Sequence, residues 1–229
     1  METTYVFIAL LGGFVPALFW LWFWLREDAA RPEPKVLILS SFIAGIAVVP
    51  IVLPLQQFAV ERFSGENLVF VWVIIEEVVK YAIALAIVLW NKAVDEPIDC
   101  IIYMISVALG FSALENALFI FTPLSNGDIL NSFFTGNFRF VGATLLHILA
   151  SGTVGAAMAL SFYKGTGTRI VASSVGLFIA IILHALFNFF IMNSSGETIL
   201  GIFLFVWTGI IILFLLFEKA KLIQAKHNR

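Results

Sequence analysis

Residues 68–90 read LVFVWVIIEEVVKYAIALAIVLW, an apolar stretch with Glu76, Glu77 and Lys80 at its centre. A helix that rises about 1.5 Å per residue needs about 20 apolar residues to cross the hydrocarbon core of a bilayer, so this stretch is long enough to span a membrane. Each charge near the bilayer centre costs about 2.5 to 3.5 kcal/mol on insertion scales. These three charged side chains therefore need partners inside the protein.

Six further apolar segments of similar length occur along the chain. The complete predicted set is about 5–25, 36–58, 68–90, 100–121, 139–162, 170–192 and 198–217. The segments are continuously apolar and lack the alternation of a transmembrane β-barrel. Because 61% of the residues are hydrophobic and only 12% are charged, we predict an all-α membrane protein. It should be a bundle of about seven transmembrane helices in a single polytopic domain over residues 1–229.

The charges predict both the partners and the orientation of the bundle. A net charge of −2 gives no basic face, so we expect the lipid bilayer, and not nucleic acid, as a partner. Ten of the thirteen Lys and Arg residues lie in the connections or the tail on one side, whereas Arg62 and Arg139 lie on the other and Lys80 lies within a segment. Cytoplasmic loops carry the excess of Lys and Arg. The N-terminus is therefore predicted outside and the C-terminus in the cytoplasm.

Polar side chains within four of the segments share one depth. Glu76, His147 and His184 lie about 8 residues, and Glu115 about 6 residues, from the predicted outer end of their segments, which corresponds to a depth of roughly 9 to 13 Å. Asn188 follows His184 at i,i+4 and faces the same side of its helix. The pattern predicts one polar layer in the outer half of the bundle, built by the catalytic helices within about 68–192.

Structural and functional interpretations compete for these residues. Lys80 fits a structural counter-ion, because it lies at i,i+4 and i,i+3 from the two glutamates. A single buried Asn or His is commonly an interhelical hydrogen-bonding group. Two adjacent glutamates in the same layer favour function, since Ser or Asn would connect helices at lower cost. The candidate catalytic residues are Glu76, Glu77, Glu115, His147, His184 and Asn188.

These residue types support hydrolysis in two ways. In the first, which is the preferred interpretation, Glu76 activates a water as a general base, Glu77 holds Lys80 or the water, and His184 and Asn188 donate to the developing oxyanion. In the second, His147, His184 and Glu115 bind Zn²⁺ and leave a fourth position open for water. The residues alone leave both arrangements open.

Two other classes of function use similar residues. A proton- or cation-coupled transporter would also bury carboxylates and histidines, although its ion path should continue to the other membrane face. The four polar segments carry no further Asp, Glu, Lys, Arg or His between the layer and their cytoplasmic ends. A non-catalytic membrane receptor or immunity protein is the other alternative, and it would not need the full set of residues.

The motifs in this region resemble those of a known family. Glu76 to Lys80 form EExxK, Phe111 to Asn116 form FxxxEN, the third motif runs from Arg139 through His147, and His184 to Asn188 form HxxxN. In this order they are similar to the PrsW family of bacterial intramembrane proteases, which belongs with the CAAX prenyl endopeptidases and type II CAAX-like proteins. The resemblance implies a peptidase of the bacterial cytoplasmic membrane. It also implies that the substrate is a membrane-anchored anti-sigma factor, cut at its outer side in a stress response.

The connection over residues 122–138 lies on the predicted outer side, between the segments that carry Glu115 and His147. Its Phe133, Phe134 and Phe138 are compatible with an interfacial lid over the site. They are equally compatible with an ordinary amphipathic connector.

Overall fold

The computed structural model describes residues 2–27, 31–192 and 199–227, and these residues form a helical bundle without strands. The helices are α1 (Glu2–Glu27), α2 (Lys35–Val60), α3 (Gly65–Ala84), α4 (Pro97–Ser125), α5 (Ile129–Phe138), α6 (Thr144–Leu160), α7 (Thr166–Met192) and α8 (Ile199–His227). Two π-helical segments extend this pattern, Leu85–Leu89 after α3 and Arg139–Ala143 between α5 and α6.

Six helical segments in the described part of the chain are long and apolar enough to cross a membrane, with α5 and α6 counted as one. Helix α3 and its π-helical end also have spanning length, but Glu76, Glu77 and Lys80 make this segment more polar than the others. The predicted all-α membrane fold is therefore confirmed, with six to seven membrane-spanning helices.

Helix α4 lies at the centre of the bundle and packs against α1, α2 and α6. Glycines allow the close approach of these helices. A Cβ atom at Gly45 would lie 2.0 Å from the carbonyl oxygen of Val107, and one at Gly110 would lie 1.9 Å from that of Phe42. On the other side of α4, a Cβ at Gly155 would lie 2.6 Å from the carbonyl oxygen of Cys100. The backbones of α2 and α6 thus contact α4 directly, which fixes the height of the polar residues on α4 relative to its neighbours.

The connection predicted over 122–138 is not an extended loop. Helix α4 continues to Ser125, and a turn with Gly127 at φ +82° leads into α5. The side chain of Asp128 caps α5 by accepting a hydrogen bond from the backbone N–H of Asn131. The π-helical segment then joins α5 to α6, so the residues from 129 to 160 form one continuous helical element.

Candidate active site

The polar side chains predicted to share a layer contact one another in the interior of the bundle. The cluster comprises Glu76, Glu77 and Lys80 from α3, Glu115 from α4, His147 from α6 and His184 from α7. All are buried except Glu115, which is half-buried. Asn188 lies one turn beyond His184 and lines the same cavity.

Glu77 is bound in this cluster through one carboxylate oxygen. Its Oε1 accepts hydrogen bonds from Lys80 Nζ at 2.5 Å and from His184 Nδ1 at 2.7 Å. The Lys80 ammonium neutralises the Glu77 carboxylate, as a buried charge requires. Because Nδ1–H donates this hydrogen bond to Glu77, the ring of His184, when neutral, presents Nε2 as an acceptor. Glu77 therefore orients His184 and selects its tautomer.

Glu76 has one engaged and one free oxygen. Gln56 Nε2 of α2 donates to Glu76 Oε1 at 2.7 Å. Glu76 Oε2 is buried, has no hydrogen-bond partner among the residues that the structure describes, and lies 3.8 Å from His184 Nε2. When His184 is neutral and Glu76 is ionised, these two atoms are facing acceptors, which is unfavourable unless a donor or a cation lies between them. The arrangement suits a water molecule or a metal ion held by both atoms.

His147 connects the two halves of the cluster. Lys80 Nζ lies 3.2 Å from its Nδ1, and Glu115 Oε2 lies 3.0 Å from its Nε2. Since an ammonium group only donates, Nδ1 of the neutral ring accepts and Nε2–H donates to Glu115. The ring also packs edge-on against that of His184, with a centroid separation of 5.0 Å.

Arg139 is predicted from the sequence on the outer side of the membrane and is not among the candidate catalytic residues, but the structure places it in the site. The π-helical segment turns its guanidinium inward, where Nη2 donates to Glu115 and Nε donates to Asn116 Oδ1 at 2.5 Å. The guanidinium also lies 4.0 Å from the ring centroid of Phe119. Glu115 is consequently held by both Arg139 and His147.

Gln56 is the second residue that was missed, although a Gln within an apolar segment is a recognisable signal. Its backbone carbonyl oxygen accepts a hydrogen bond from Trp72 Nε1 at 3.1 Å, while its side chain holds Glu76. Gln56 therefore links α2 to two positions on α3.

The structure brings together a set of possible metal ligands that differs from the predicted set at one residue. In the described part of the chain, Glu76, His147 and His184 bring ligand atoms within 4.8 Å of one another. The prediction named Glu115 in place of Glu76. Glu115 is instead tied to Arg139, because the π-helical segment delivers a cation beside it, whereas Glu76 keeps a free oxygen.

The donors in this revised set fit a zinc ion. Two imidazoles and one carboxylate form a common catalytic zinc ligand set. The contact of Glu77 with the far nitrogen of His184 is the second-sphere arrangement that orients a ligating histidine. His147 has both ring nitrogens engaged, so it would exchange one of these contacts for a metal.

A cavity of about 580 Å³ lies over the cluster. Glu76, His147 and His184 form its base, and its walls reach Thr122 near the end of α4 and Phe203 near the start of α8. The cavity thus extends toward the end of the bundle that holds the α2–α3 and α4–α5 connections.

Comparison with known proteins identifies the family. A family model described as PrsW family intramembrane metalloprotease matches residues 33–216. The chain belongs to the PrsW family. Protease PrsW of Clostridioides difficile (strain 630) is 27% identical over 195 residues, covering 80% of this chain and 79% of the relative. Protease PrsW of Bacillus subtilis (strain 168) is 25% identical over 211 residues, covering 88% and 92%.

A third relative, Protease PrsW of Oceanobacillus iheyensis, is 26% identical over 195 residues, covering 83% of this chain and 86% of the relative. No solved structure matches the chain. PrsW family membership and the spanning helices together make this protein a multi-pass peptidase of a bacterial membrane. The transporter and receptor alternatives are thereby set aside.

Proposed function

We propose that this PrsW family protein hydrolyses a peptide bond of a membrane-anchored protein at the site formed by Glu76, His147 and His184. The observation that supports this proposal most strongly is the pair of facing acceptors, Glu76 Oε2 and His184 Nε2, 3.8 Å apart and buried. A water or a cation between these atoms would be held next to the cavity in which a substrate can bind.

Zinc is the metal that suits these ligands, and when bound it would lower the pKa of water and polarise a carbonyl group. Glu76, His147 and His184 would hold it. Gln56 keeps Glu76 Oε1 in place so that Oε2 faces His184. In the neutral ring of His184, the hydrogen bond from Nδ1–H to Glu77 leaves Nε2 as the acceptor, and Lys80 offsets the charge of Glu77. If no metal is used, Glu76 Oε2 accepts the proton of the attacking water directly.

Stabilisation of the developing oxyanion falls to other side chains. His184 Nδ1–H donates its hydrogen bond to Glu77, so the oxyanion role predicted for His184 is better filled by its neighbours in the cavity. The Asn188 amide and the Arg139 guanidinium both line the cavity. One such donor contributes about 2.7 to 4 kcal/mol to transition-state stabilisation.

For the substrate, we propose a membrane-anchored anti-sigma factor, cut near the outer membrane face. The substrate class follows from the family resemblance. The position of the cut follows from the cavity, which extends to the end of the bundle with the fewest Lys and Arg residues. That end is outside by the positive-inside rule.

The proposal is tested by expressing the wild type and a Glu76→Gln variant in the same host, followed by a proteomic search for shortened membrane proteins. We expect a membrane protein that is shortened only by the wild type, although the wild type and the Glu76→Gln variant accumulate to the same level. A Glu218→Gln variant is the matched control, since Glu218 is an exposed glutamate near the end of α8. Equal shortening by wild type and Glu76→Gln would contradict the assigned site.

A further inference from the structure

A second cavity, of about 630 Å³, forms a groove between the start of α3 and the end of α7. The two helices contact each other at Glu77 and His184, and the groove lies between this contact and the nearer helix ends. Among the described residues, its walls are mainly apolar, and the polar side chains Glu66 and Asn67 that line it lie in the first turn of α3.

The groove shares a wall with the cavity over the catalytic cluster. Val69, Trp72 and Met192 line both. Side chains, and not a helix, therefore separate the groove from the cavity. The Trp72 indole is fixed in this wall because its Nε1 donates to the carbonyl oxygen of Gln56, whose side chain holds Glu76.

The outer side of the groove faces lipid. Phe70 is 42% exposed and Leu186 is 38% exposed on the surface of a membrane-spanning bundle. From Ile182 to Met192 the groove extends roughly 15 Å along α7, by helix rise, which is about half the thickness of the hydrocarbon core. It thus forms a passage from one leaflet to the catalytic cavity.

We propose that this groove binds the apolar transmembrane helix of the protein substrate, and that the chain passes Trp72 to reach Glu76 and His184. The inference rests on the proposed function, because it takes the occupant to be the membrane-anchored protein that the site cleaves. A helix in lipid keeps its backbone groups paired, so its end has to unwind where polar partners are available. The wall at Trp72 is where the apolar groove meets polar side chains.

Site-specific photo-crosslinking tests this inference in intact cells. The photoreactive residue p-benzoylphenylalanine replaces Leu186 or Phe70 in the groove, in a Glu76→Gln background that retains substrate. Phe178 provides the control position, since it lies on α7 outside the groove and is 64% exposed. The crosslinked partner to be detected is the membrane protein that the wild type shortens and the Glu76→Gln variant leaves intact. We expect it to crosslink from Leu186 and Phe70 but not from Phe178.

A Phe70→Asn/Leu186→Asn variant provides a second measurement. Both positions are exposed, so the bundle should still fold, while two amides disfavour an apolar helix in the groove. We expect cleavage of the same membrane protein to fall about tenfold or more, and a Phe178→Asn variant to cleave normally.

The outcomes separate the two proposals. If the wild type shortens no membrane protein, the proposed function itself is refuted. If a protein is shortened but crosslinks only from Phe178, or if Leu186 and Phe70 crosslink lipid alone, the groove is not the docking site. Unchanged cleavage by the double Asn variant would overturn the inference as well.

Discussion

Glu76 and Glu77 are adjacent in sequence, yet their surroundings differ completely. Glu77 is bound by Lys80 and His184, so it is a fixed carboxylate that orients a histidine. Glu76 is bound only through Oε1, by Gln56, and its second oxygen is free inside the protein. We infer that Glu76 acts on the reacting groups and that Glu77 acts through His184.

Gln56 should therefore be a positioning residue for Glu76. A Gln56→Glu substitution keeps the shape of the side chain but replaces the donor with an acceptor. We expect it to lower kcat by about 10- to 100-fold and to weaken metal binding, as loss of an outer-shell partner commonly does. Kinetic assays and metal titration of the purified protein would measure both effects.

Gln57→Glu is the matched control, because Gln57 is the next residue on α2 and is exposed. It should leave kcat and metal affinity unchanged. Wild-type values for Gln56→Glu would show that the contact with Glu76 does not matter for the reaction.

The depth of the polar side chains along their helices could be predicted from the sequence, but the hydrogen-bond partner of each side chain could not. Counting residues from the segment ends predicts a shared layer, and Glu76, Glu115, His147 and His184 do lie together in the structure. Which carboxylate faces a histidine depends on how each helix is rotated about its axis. Sequence spacing does not determine that rotation. For this reason the predicted metal set contains Glu115, whereas the structure groups Glu76 with the two histidines. The candidate catalytic residues likewise did not include Gln56 or Arg139.

Helix α4 sets the geometry of the site because α1, α2 and α6 pack directly on its backbone. Gly45 of α2 contacts α4 at Val107, and Gly155 of α6 contacts it at Cys100. Helix α2 carries Gln56 and α6 carries His147, so these close contacts place site residues as well as stabilising the bundle.

A Gly45→Ala substitution should therefore destabilise the protein and disturb the site. The added Cβ would lie 2.0 Å from a backbone oxygen, so α2 and α4 have to separate, and overpacking of this kind typically costs about 1 to 3 kcal/mol. We expect a lower Tm in detergent and reduced cleavage. Gly201→Ala is the control, since a Cβ there would have no neighbour within 4 Å in the described part of the chain. An equal Tm for both variants would argue against this packing role of Gly45.

The start of helix α5 has a signal in the sequence that hydropathy does not detect. Gly127 and Asp128 supply the turn and the cap that begin a helix at Ile129. The hydropathy pattern instead started the next segment at residue 139. The π-helical segment that turns Arg139 inward has no comparable signal in the composition, since it depends on packing of the adjoining helices.

The two ends of the bundle differ both in their charge and in their cavities. Ten Lys and Arg residues are predicted on one side, whereas both cavities extend to the opposite end. If the positive side is cytoplasmic, the site is reached from outside or from the outer leaflet.

Cysteine labelling of intact cells tests this orientation in a Cys100→Ser background. A Ser125→Cys variant, at the end of α4, should react with an impermeant thiol reagent added outside. A Thr166→Cys variant, at the start of α7, should react only after the cells are opened. The reverse pattern would turn the site toward the cytoplasm and remove the basis for cleavage at the outer face.

The metal content of the purified protein distinguishes a zinc centre formed by Glu76, His147 and His184 from a metal-free hydrolytic site. We predict about one zinc ion per chain, reversible loss of activity with a chelator, and weakened metal binding in Glu76→Gln and His184→Ala. Glu115→Gln should retain the metal. Full activity in metal-free protein, or metal lost from Glu115→Gln but retained in Glu76→Gln, would refute the zinc centre at Glu76, His147 and His184.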